Sequence, residues 1–493
     1  MEYTDIVRGM ADLERSIAQG PYTDDWNSLC AVTVPQWFRD AKFGIFIHWG
    51  VFSVPAYSNE WYPRNMYIKG MPAYTHHIKT YGPQQDFGYK DFIPLYTMEQ
   101  FDPHAWAKVF KDAGARYVMP LAEHHDGFQM YASAISRFNA VEMGPHRDLL
   151  GALRQAVLDE GLVFGTSSHR AEHWFFLGHG KEFDSDIREP LKRGDFYWPA
   201  MPEPDNLDLY SEPYPTDEYL HDWLLRTCEI IDRYQPQLLY FDWWIQHRAF
   251  KPYIKKLAAY YYNQAEAWGT GAALCYKYDG LMFGSGIVEI ERGACAACQP
   301  YPWQIDTPVA QHSWCYVEDQ AYKKSVDIIR ELVNVVSKNG NLLLNIGPRA
   351  DGIIPEGDMG ILRDIGAWLR VNGEAIYGSR PWRICSEGPT QETEGFFQDN
   401  DSVRYTAQDF RFTCKGDSIY AIALEYPQEG AVIIRSFSYA LEPSTPSFRG
   451  IIRDVSIVGS AEKPLWKHTG EGLSLTTRTI SSEYPVVIKI TIE

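Results

Sequence analysis

The sequence predicts an α/β fold, a (β/α) TIM-like barrel followed by a C-terminal antiparallel β-sandwich. Three observations carry that expectation. Between about residues 40 and 375, short β-like apolar runs alternate with amphipathic helical segments, the order that parallel strands joined by crossover helices produce. No glycine-rich phosphate turn follows the first strand, which favours a closed barrel over a doubly wound sheet. From about Glu387 onward the helical period is lost, and strand-like runs alternate with turn residues. The expected division is a barrel domain over 1–382 and a sandwich domain over 383–493, and 493 residues suffice for both.

The elements follow in order. "KFGIFIH" (Lys42 to His48) reads as the first strand. "FDPHAWAKVFKDAG" reads as a helix: Asp102 is its N-cap and Pro103 its first residue, Trp106, Val109, Phe110 and Ala113 form its apolar face, and Gly114 ends it. "RYVMPLA" (116–122), "LVFGTSS" (162–168), "LLYFD" (238–242), "ALCYKY" (273–278) and "NLLLNIG" (341–347) supply further strands, with helices such as "DLLGALRQAVLDEG" between them. In the second unit "SIYAIALEY", "AVIIRSFSY" and "PVVIKITIE" read as sandwich strands. The sequence contains no internal repeat or low-complexity segment.

Composition narrows the function classes. Forty-six Lys and Arg against 64 Asp and Glu leave a formal charge of −18, which repels nucleic acid and anionic lipid surfaces alike. Aromatic content is 15%, with 16 Trp and 32 Tyr, and suits surfaces that offer an apolar face with a polar edge, as sugars require. No apolar run has membrane-span length, and "MEYTDIVRGMADLERS" has neither a basic nor an apolar leader region. The expectation is a cytoplasmic placement for the chain as given, or a secreted or periplasmic one if a signal peptide has been removed. Eight scattered cysteines, with Cys295 and Cys298 as the one tight pair and no second pair at zinc spacing, read as reduced thiols. Neither a metal nor a cofactor is expected, and the chain is compatible with a monomer or a homo-oligomer.

Barrel active sites lie at the C-terminal ends of the strands, so the polar residues that end each apolar run form the candidate set. The first run ends in His48 and Trp49, the second in Glu123, His124, His125 and Asp126, the third in His169, Glu172, His173 and Trp174, and the fourth in Asp242. "VEIERG" adds Glu289 and Glu291, "PWQ" and "SWCY" add Trp303 and Trp314, and the loop "SNEWYPRNMY" adds Glu60 and Trp61.

Each has a plain structural alternative. A histidine at a strand end is ordinarily a packed, hydrogen-bonded residue. Glu172 could pair with Arg170 or Arg39, Asp242 could cap a helix or pair with Arg248, and Trp49, Trp243 and Trp244 could all be core. His124 and His125 could suggest a metal, but neighbours on an extended chain point to opposite sides, and no HExxH helix accompanies them. The surroundings of Asp242 in "LLYFDWW" tip the balance, because burying a charge without partners costs several kcal/mol or so. Two carboxylates, imidazoles and indole faces at one mouth are what glycoside hydrolysis requires: one carboxylate ionised at the anomeric carbon, the other holding a proton for the leaving oxygen. No GxSxG elbow supports a serine triad.

"WFRDAKFGIFIHWG", "EWY", "FDPHAWAKVFKDAGARYVMPLAEHHDGF", "LLYFDWW", "NLLLNIGPRADGIIPEG" and "NGEAIYGSRPW" together resemble the α-L-fucosidases of glycoside hydrolase family 29, from about Trp37 to Trp382 and in the family's order. The resemblance implies a distorted (β/α)8 TIM-like barrel with a C-terminal antiparallel β-sandwich, no metal, and retaining hydrolysis of terminal α-L-fucose from oligosaccharides or glycoconjugates. It implies Asp242 as the nucleophile, His48, His124 and His125 as ligands of the fucose hydroxyls, and Glu60 with Trp61 beside them. Fucose is a 6-deoxy sugar whose methyl group needs an apolar recess, and Trp314 is the candidate wall. The sequence departs from the family in two ways. Where many members have a tyrosine in a "YYS" context, "GTSSHRAEHW" offers Ser167, Ser168 and His169. The acid/base is the least uniform part of the family: Glu291 is the choice, with Glu289 two residues away, and Glu60 and Glu172 behind them. The rival readings are a catalytically silent fucose-binding protein and a metal-dependent hydrolase built on His124 and His125.

Overall fold

Eight parallel strands close into a barrel in chain order: β1 (Phe43–Ile47), β2 (Tyr117–Glu123), β3 (Val163–Ser168), β4 (Leu238–Phe241), β5 (Ala273–Lys277), β6 (Ile287–Glu291), β7 (Trp303–Pro308) and β8 (Gly340–Ile346), which pairs back onto β1. The computed structural model describes residues 3–205, 208–397, 403–440 and 447–493. Every residue of β1, β2, β4, β5, β7 and β8 is buried, as continuous apolar runs require when helices cover one face and the barrel interior the other. The sequence reading named six of these strands. It collected the carboxylates of β6 without recognising a strand, and it missed β7.

The crossover helices begin where their caps predict. Asp102 accepts from the amides of His104 and Ala105 at the start of Pro103–Asp112, and Asp148 accepts from Gly151 at the start of Leu149–Asp159. An N-terminal helix, Tyr3–Gln19, packs on the helices Asp217–Tyr234 and Lys251–Trp268, where Leu13 and Ile17 are buried. Each of those side chains contributes roughly 1.5–3 kcal/mol of apolar burial.

The barrel interior carries a polar layer beneath its mouth. Tyr117 Oη donates to Gln304 Oε1 (2.6 Å), Gln304 Nε2 donates to Glu289 Oε2 (2.7 Å), and Tyr240 Oη donates to Asp306 Oδ2 (2.9 Å). Gly44 in β1 makes room for this layer, since a Cβ there would lie 2.4 Å from the Tyr117 ring. Trp303 belongs to the other end. It is the first residue of β7, in register with Gly340 at the start of β8, and its indole donates to the Lys338 carbonyl (2.9 Å). Its inclusion among the mouth residues is therefore corrected: the apolar run that ends at the mouth starts at this tryptophan.

The remaining strands are antiparallel. β9 (Arg380–Glu387), β10 (Phe410–Lys415), β11 (Ser418–Ala423), β13 (Ile452–Ile457) and β16 (Val486–Ile492) form one sheet, in the order β13-β16-β11-β10-β9. β12 (Ala431–Ile434), β14 (Leu465–Thr469) and β15 (Gly472–Thr476) form the other, in the order β12-β15-β14. Trp382, Phe412, Phe437 and Phe448 meet between the two sheets, with Trp382 and Phe437 stacked at 5.0 Å. After β9 the chain returns to the barrel. The buried side chain of Glu392 pairs there with Lys338, beyond the helix Ser325–Ser337, and with Arg411 of β10 (2.5 Å). Those two cations hold its carboxyl down to about 2 although burial opposes them.

Candidate active site

A cavity of about 310 Å³ opens at the C-terminal end of the barrel. It is lined by His48, Glu60, Trp61, His124, His125, His169, Asp242, Glu291 and Trp314, so these nine sequence-predicted residues meet in one cavity. β1, β3, β4, β5 and β6 each deliver a polar lining residue at or just past their ends, namely His48, His169, Asp242, Lys277 and Glu291, and β2 delivers two. His124 and His125 lie beyond the last residue of β2, where the chain turns, and their rings sit 4.3 Å apart in one cavity. The expectation that they point to opposite sides fails because they have left the extended strand.

Asp242 follows the last residue of β4 and is 9% exposed. Lys277 Nζ donates to its Oδ1 (2.6 Å) and His169 Nδ1 to its Oδ2 (2.9 Å), while His125 Nε2 lies 3.5 Å from Oδ2. Burial alone would raise the Asp242 carboxyl, but Lys277, His169 and His125 outweigh it and hold the group well below the usual carboxylate range. Arg248 is elsewhere, over the ring of Tyr210.

Lys277 ends β5 and contacts both carboxylates, with Nζ 2.5 Å from Glu291 Oε2. Burial disfavours its charge, yet Asp242, Glu291 and Asp306 outweigh burial and push the ammonium well above its usual value. Glu291, the last residue of β6, is raised to about 7 by burial and by repulsion from Asp306 and Asp242, against the pull of Lys277. The Trp243 indole also donates to Glu291 Oε2 (3.2 Å).

Glu289 and Glu291 share a face of β6, but their surroundings differ. Glu289 is fully buried one layer down, in register with Gln304. Glu289 Oε1 and Asp306 Oδ1 have no donor of their own, while the two side chains hydrogen-bond each other. One proton shared between them satisfies both atoms. Burial and the Asp306 charge raise Glu289 well above the usual range, so the proton belongs to Glu289.

His48, His124 and His125 are neutral. Burial pushes His48 and His124 well below the usual imidazole value, and it takes His125 to about 3. Asn345 Nδ2 donates to the Trp314 carbonyl (2.6 Å), so Asn345 Oδ1 accepts from His48 Nδ1 (2.7 Å), and His48 Nε2 is left as an acceptor. His125 Nδ1 likewise donates to the His169 carbonyl (2.7 Å). Glu60 Oε2 accepts the Trp314 amide (3.0 Å), Trp314 lies 5.2 Å from the His48 ring, and Trp61 lies 5.6 Å from His125. His48, His124 and His169 offer donor atoms within 4.8 Å of one another, as do His125, His169 and Asp242, so either trio has the spacing to hold a cation.

The other candidates support the site from outside. Glu123 pairs with Arg170 (2.8 Å) and Arg226 (3.3 Å), and Arg170 also reaches Asp222 (3.3 Å). The suggested Arg170 partner for Glu172 is thus corrected. Glu172 stands behind His125, its Oε2 3.9 Å from Nδ1, and burial raises its carboxyl well above the usual range. Asp126 accepts from Tyr89 Oη (2.6 Å), and Trp49 and Trp244 are core. The sequence reading missed Lys277, Asn345 and Phe397. For the first two the signal was present, since each interrupts or ends an apolar run ("ALCYK", "NLLLN"). Phe397 comes from beyond the barrel, and no strand-end rule finds it.

The chain matches the family described as Alpha-L-fucosidase over residues 9–374. Tissue alpha-L-fucosidase of Rattus norvegicus is 33% identical over 437 residues, which cover 85% of this chain and 82% of the rat protein. That of Homo sapiens is 33% identical over 425 residues, 85% of this chain and 82% of the human protein. The crystal structure of Thermotoga maritima alpha-fucosidase superposes with a TM-score of 0.74 at 31% identity, over 95% of this chain and all of that one.

Proposed function

The chain belongs to the alpha-L-fucosidase family of glycoside hydrolases, and from that premise we propose that it is a retaining, exo-acting enzyme that releases terminal α-L-fucose from oligosaccharides or glycoconjugates through a covalent fucosyl-enzyme. Asp242 is the nucleophile, already ionised. Glu291 is the acid/base, a carboxyl poised near neutrality so that it can both give and take a proton. The observation that carries the reading is the bridge of Lys277. Its ammonium touches Asp242 and Glu291 at 2.6 and 2.5 Å, so the nearest oxygens are no farther apart than those two contacts laid end to end. So close an approach supports the roughly 5–5.5 Å carboxyl separation of retaining enzymes over the roughly 6.5–9.5 Å that admits a water in inverting ones.

In the first step Asp242 attacks C1 while Glu291 protonates the departing oxygen; in the second Glu291 takes a proton from water, which displaces Asp242. His48 accepts a hydrogen bond from a fucose hydroxyl at Nε2, and His124 and His125 contact the neighbouring hydroxyls. Glu60 orients the backbone of Trp314, whose indole walls the recess for the methyl group, and Trp61 packs on the sugar beside it. His169 replaces the tyrosine of many relatives and acts on Asp242 directly, through Nδ1. No step draws on a metal or cofactor. We also propose a division into two domains, with the boundary drawn before β9 rather than at 382/383, because Arg380 and Pro381 already pair with Cys414 and Thr413 of β10.

Azide separates the two roles. Asp242→Gly opens the face opposite the leaving group, so azide gives β-fucosyl azide. Glu291→Ala with an activated aryl fucoside still forms the fucosyl-enzyme, and azide intercepts it as α-fucosyl azide. Wild-type turnover by Asp242→Gly sinks the nucleophile assignment, and α-azide from Glu289→Ala instead of Glu291→Ala exchanges the two glutamates.

A further inference from the structure

We infer that the segment Glu392–Phe397, which follows the first sandwich strand, builds the binding site for the leaving group. Phe397 and Trp243 together would form an aromatic platform for the apolar face of the sugar that carries the fucose. The inference rests on the α-L-fucosidase reading and deepens it.

The segment is held at three successive points. At its base the Glu392 carboxylate is clamped between Lys338 and Arg411. Gly395 then exchanges two backbone hydrogen bonds with Ala294, just past β6 (3.0 and 3.1 Å). At its tip the Phe397 amide donates to the carbonyl of Glu291 (3.0 Å), the residue proposed to protonate the leaving oxygen. These anchors hold Phe397 at φ +54°, a left-handed conformation that an aromatic residue adopts only where its surroundings impose it.

What the segment delivers is aromatic. Phe396 stacks on Tyr278 at 4.1 Å, which uses that ring for packing. Phe397 is different. Its ring lies near parallel to Trp243 at 6.3 Å, lines the same cavity as Asp242 and Glu291, and remains 52% exposed. A core phenylalanine would be covered, and a surface one would not be fixed by a strained backbone on the proton donor's own carbonyl. Trp243 is tied to the same carboxyl through its indole N–H.

Direction decides the ligand. The leaving group departs on the side of the group that protonates it, so it passes over Glu291, and the first faces it meets there are Trp243 and Phe397. Pyranoses with a contiguous C–H face, such as galactose or N-acetylglucosamine, complement aromatic faces at ring-stacking distance.

The test compares a substrate that has a leaving-group sugar with one that has none: a fucosyl-galactose disaccharide against α-L-fucosyl fluoride, on the full chain. Phe397→Ala is expected to lower the disaccharide-to-fluoride ratio of kcat/KM by about tenfold, chiefly through KM, whereas Phe397→Trp, which keeps a face, holds the ratio within about twofold of wild type. Equal losses on both substrates, or an unchanged ratio in Phe397→Ala, overturn the inference. Failure of wild type to hydrolyse the fluoride would instead refute the fucosidase reading beneath it.

Discussion

Replacing Lys277 by methionine removes a cation that touches both proposed catalytic carboxyls and leaves the space filled. Two unit charges about 4 Å apart at an effective dielectric near 20 attract by roughly 4 kcal/mol. Recovering the desolvation of the ammonium offsets part of that, and removal of one partner from a buried pair costs about 3–5 kcal/mol in practice. If most of it is felt at the transition state, kcat/KM at the optimum falls by about 10²–10³-fold. The pH profile identifies the cause. Lys277 is the chief influence lowering both Asp242 and Glu291, so without it both carboxyls hold their protons to higher pH. The acid limb of kcat/KM, set by ionisation of Asp242, therefore moves up. The basic limb, set by loss of the Glu291 proton at about 7 in the wild type, moves up as well. Stability follows the same sign. The depressed Asp242 contributes stability above its unfolded value and loses it as pH falls through the folded one, so the Tm deficit of the variant is largest at neutral pH and shrinks in acid. Steady-state kinetics on an aryl fucoside and thermal unfolding, both from pH 3 to 9, supply the measurements. A variant that loses rate while both limbs stay in place would show that Lys277 positions groups without governing their ionisation, and the electrostatic reasoning would be refuted.

Three further outcomes are expected. Glu289→Gln keeps an N–H donor toward Asp306 and an acceptor for Gln304, so its kcat/KM and Tm stay near wild type, whereas Glu289→Ala strands the Asp306 charge and costs about 3 kcal/mol; equal damage from both would rule out the shared proton. His48→Ala, His124→Ala and His125→Ala each stay folded and lose about 1–3 kcal/mol in kcat/KM, and one equivalent of zinc, removed by a chelator in step with activity, would contradict their role as hydroxyl ligands. Fucosides are preferred over α-L-galactosides by roughly 1–3 kcal/mol because the recess must desolvate the extra hydroxyl; Trp314→Ala narrows that preference, and comparable kcat/KM for the two sugars in the wild type would remove the apolar recess.

The barrel was legible because its strands are buried on both faces and therefore read as apolar runs, and because Asp102 and Asp148 announce their helices. The mouth was legible for a related reason: a polar residue that ends such a run has nowhere to go but the rim. The rule misled at Trp303, where an aromatic residue begins a run. It also gave no warning that the chain would turn between Glu123 and His125 and carry two adjacent imidazoles into one cavity. Ion pairing was the least visible part. Charge matching along the sequence offered Arg170 to Glu172 and Arg248 to Asp242, but partners inside a barrel come from neighbouring strands, and Lys277 is 35 residues from Asp242. Phe397 was invisible for a third reason: it follows the first sandwich strand, where residue order says nothing about return to the barrel.

Lys277 also determines how charge moves during the proposed reaction. Before the first step the negative partner is Asp242 and the neutral one is Glu291. When the fucosyl ester forms, Asp242 loses its charge and Glu291, having given up its proton, acquires one. Both oxygens already touch the same ammonium, so the anion changes sides of a stationary counterion. The buried cluster keeps the same total charge across the covalent step, and the surrounding barrel has no new field to accommodate. Hydrolysis returns the charge along the same short path, and the free enzyme is regenerated with its ionisation state already set for the next sugar.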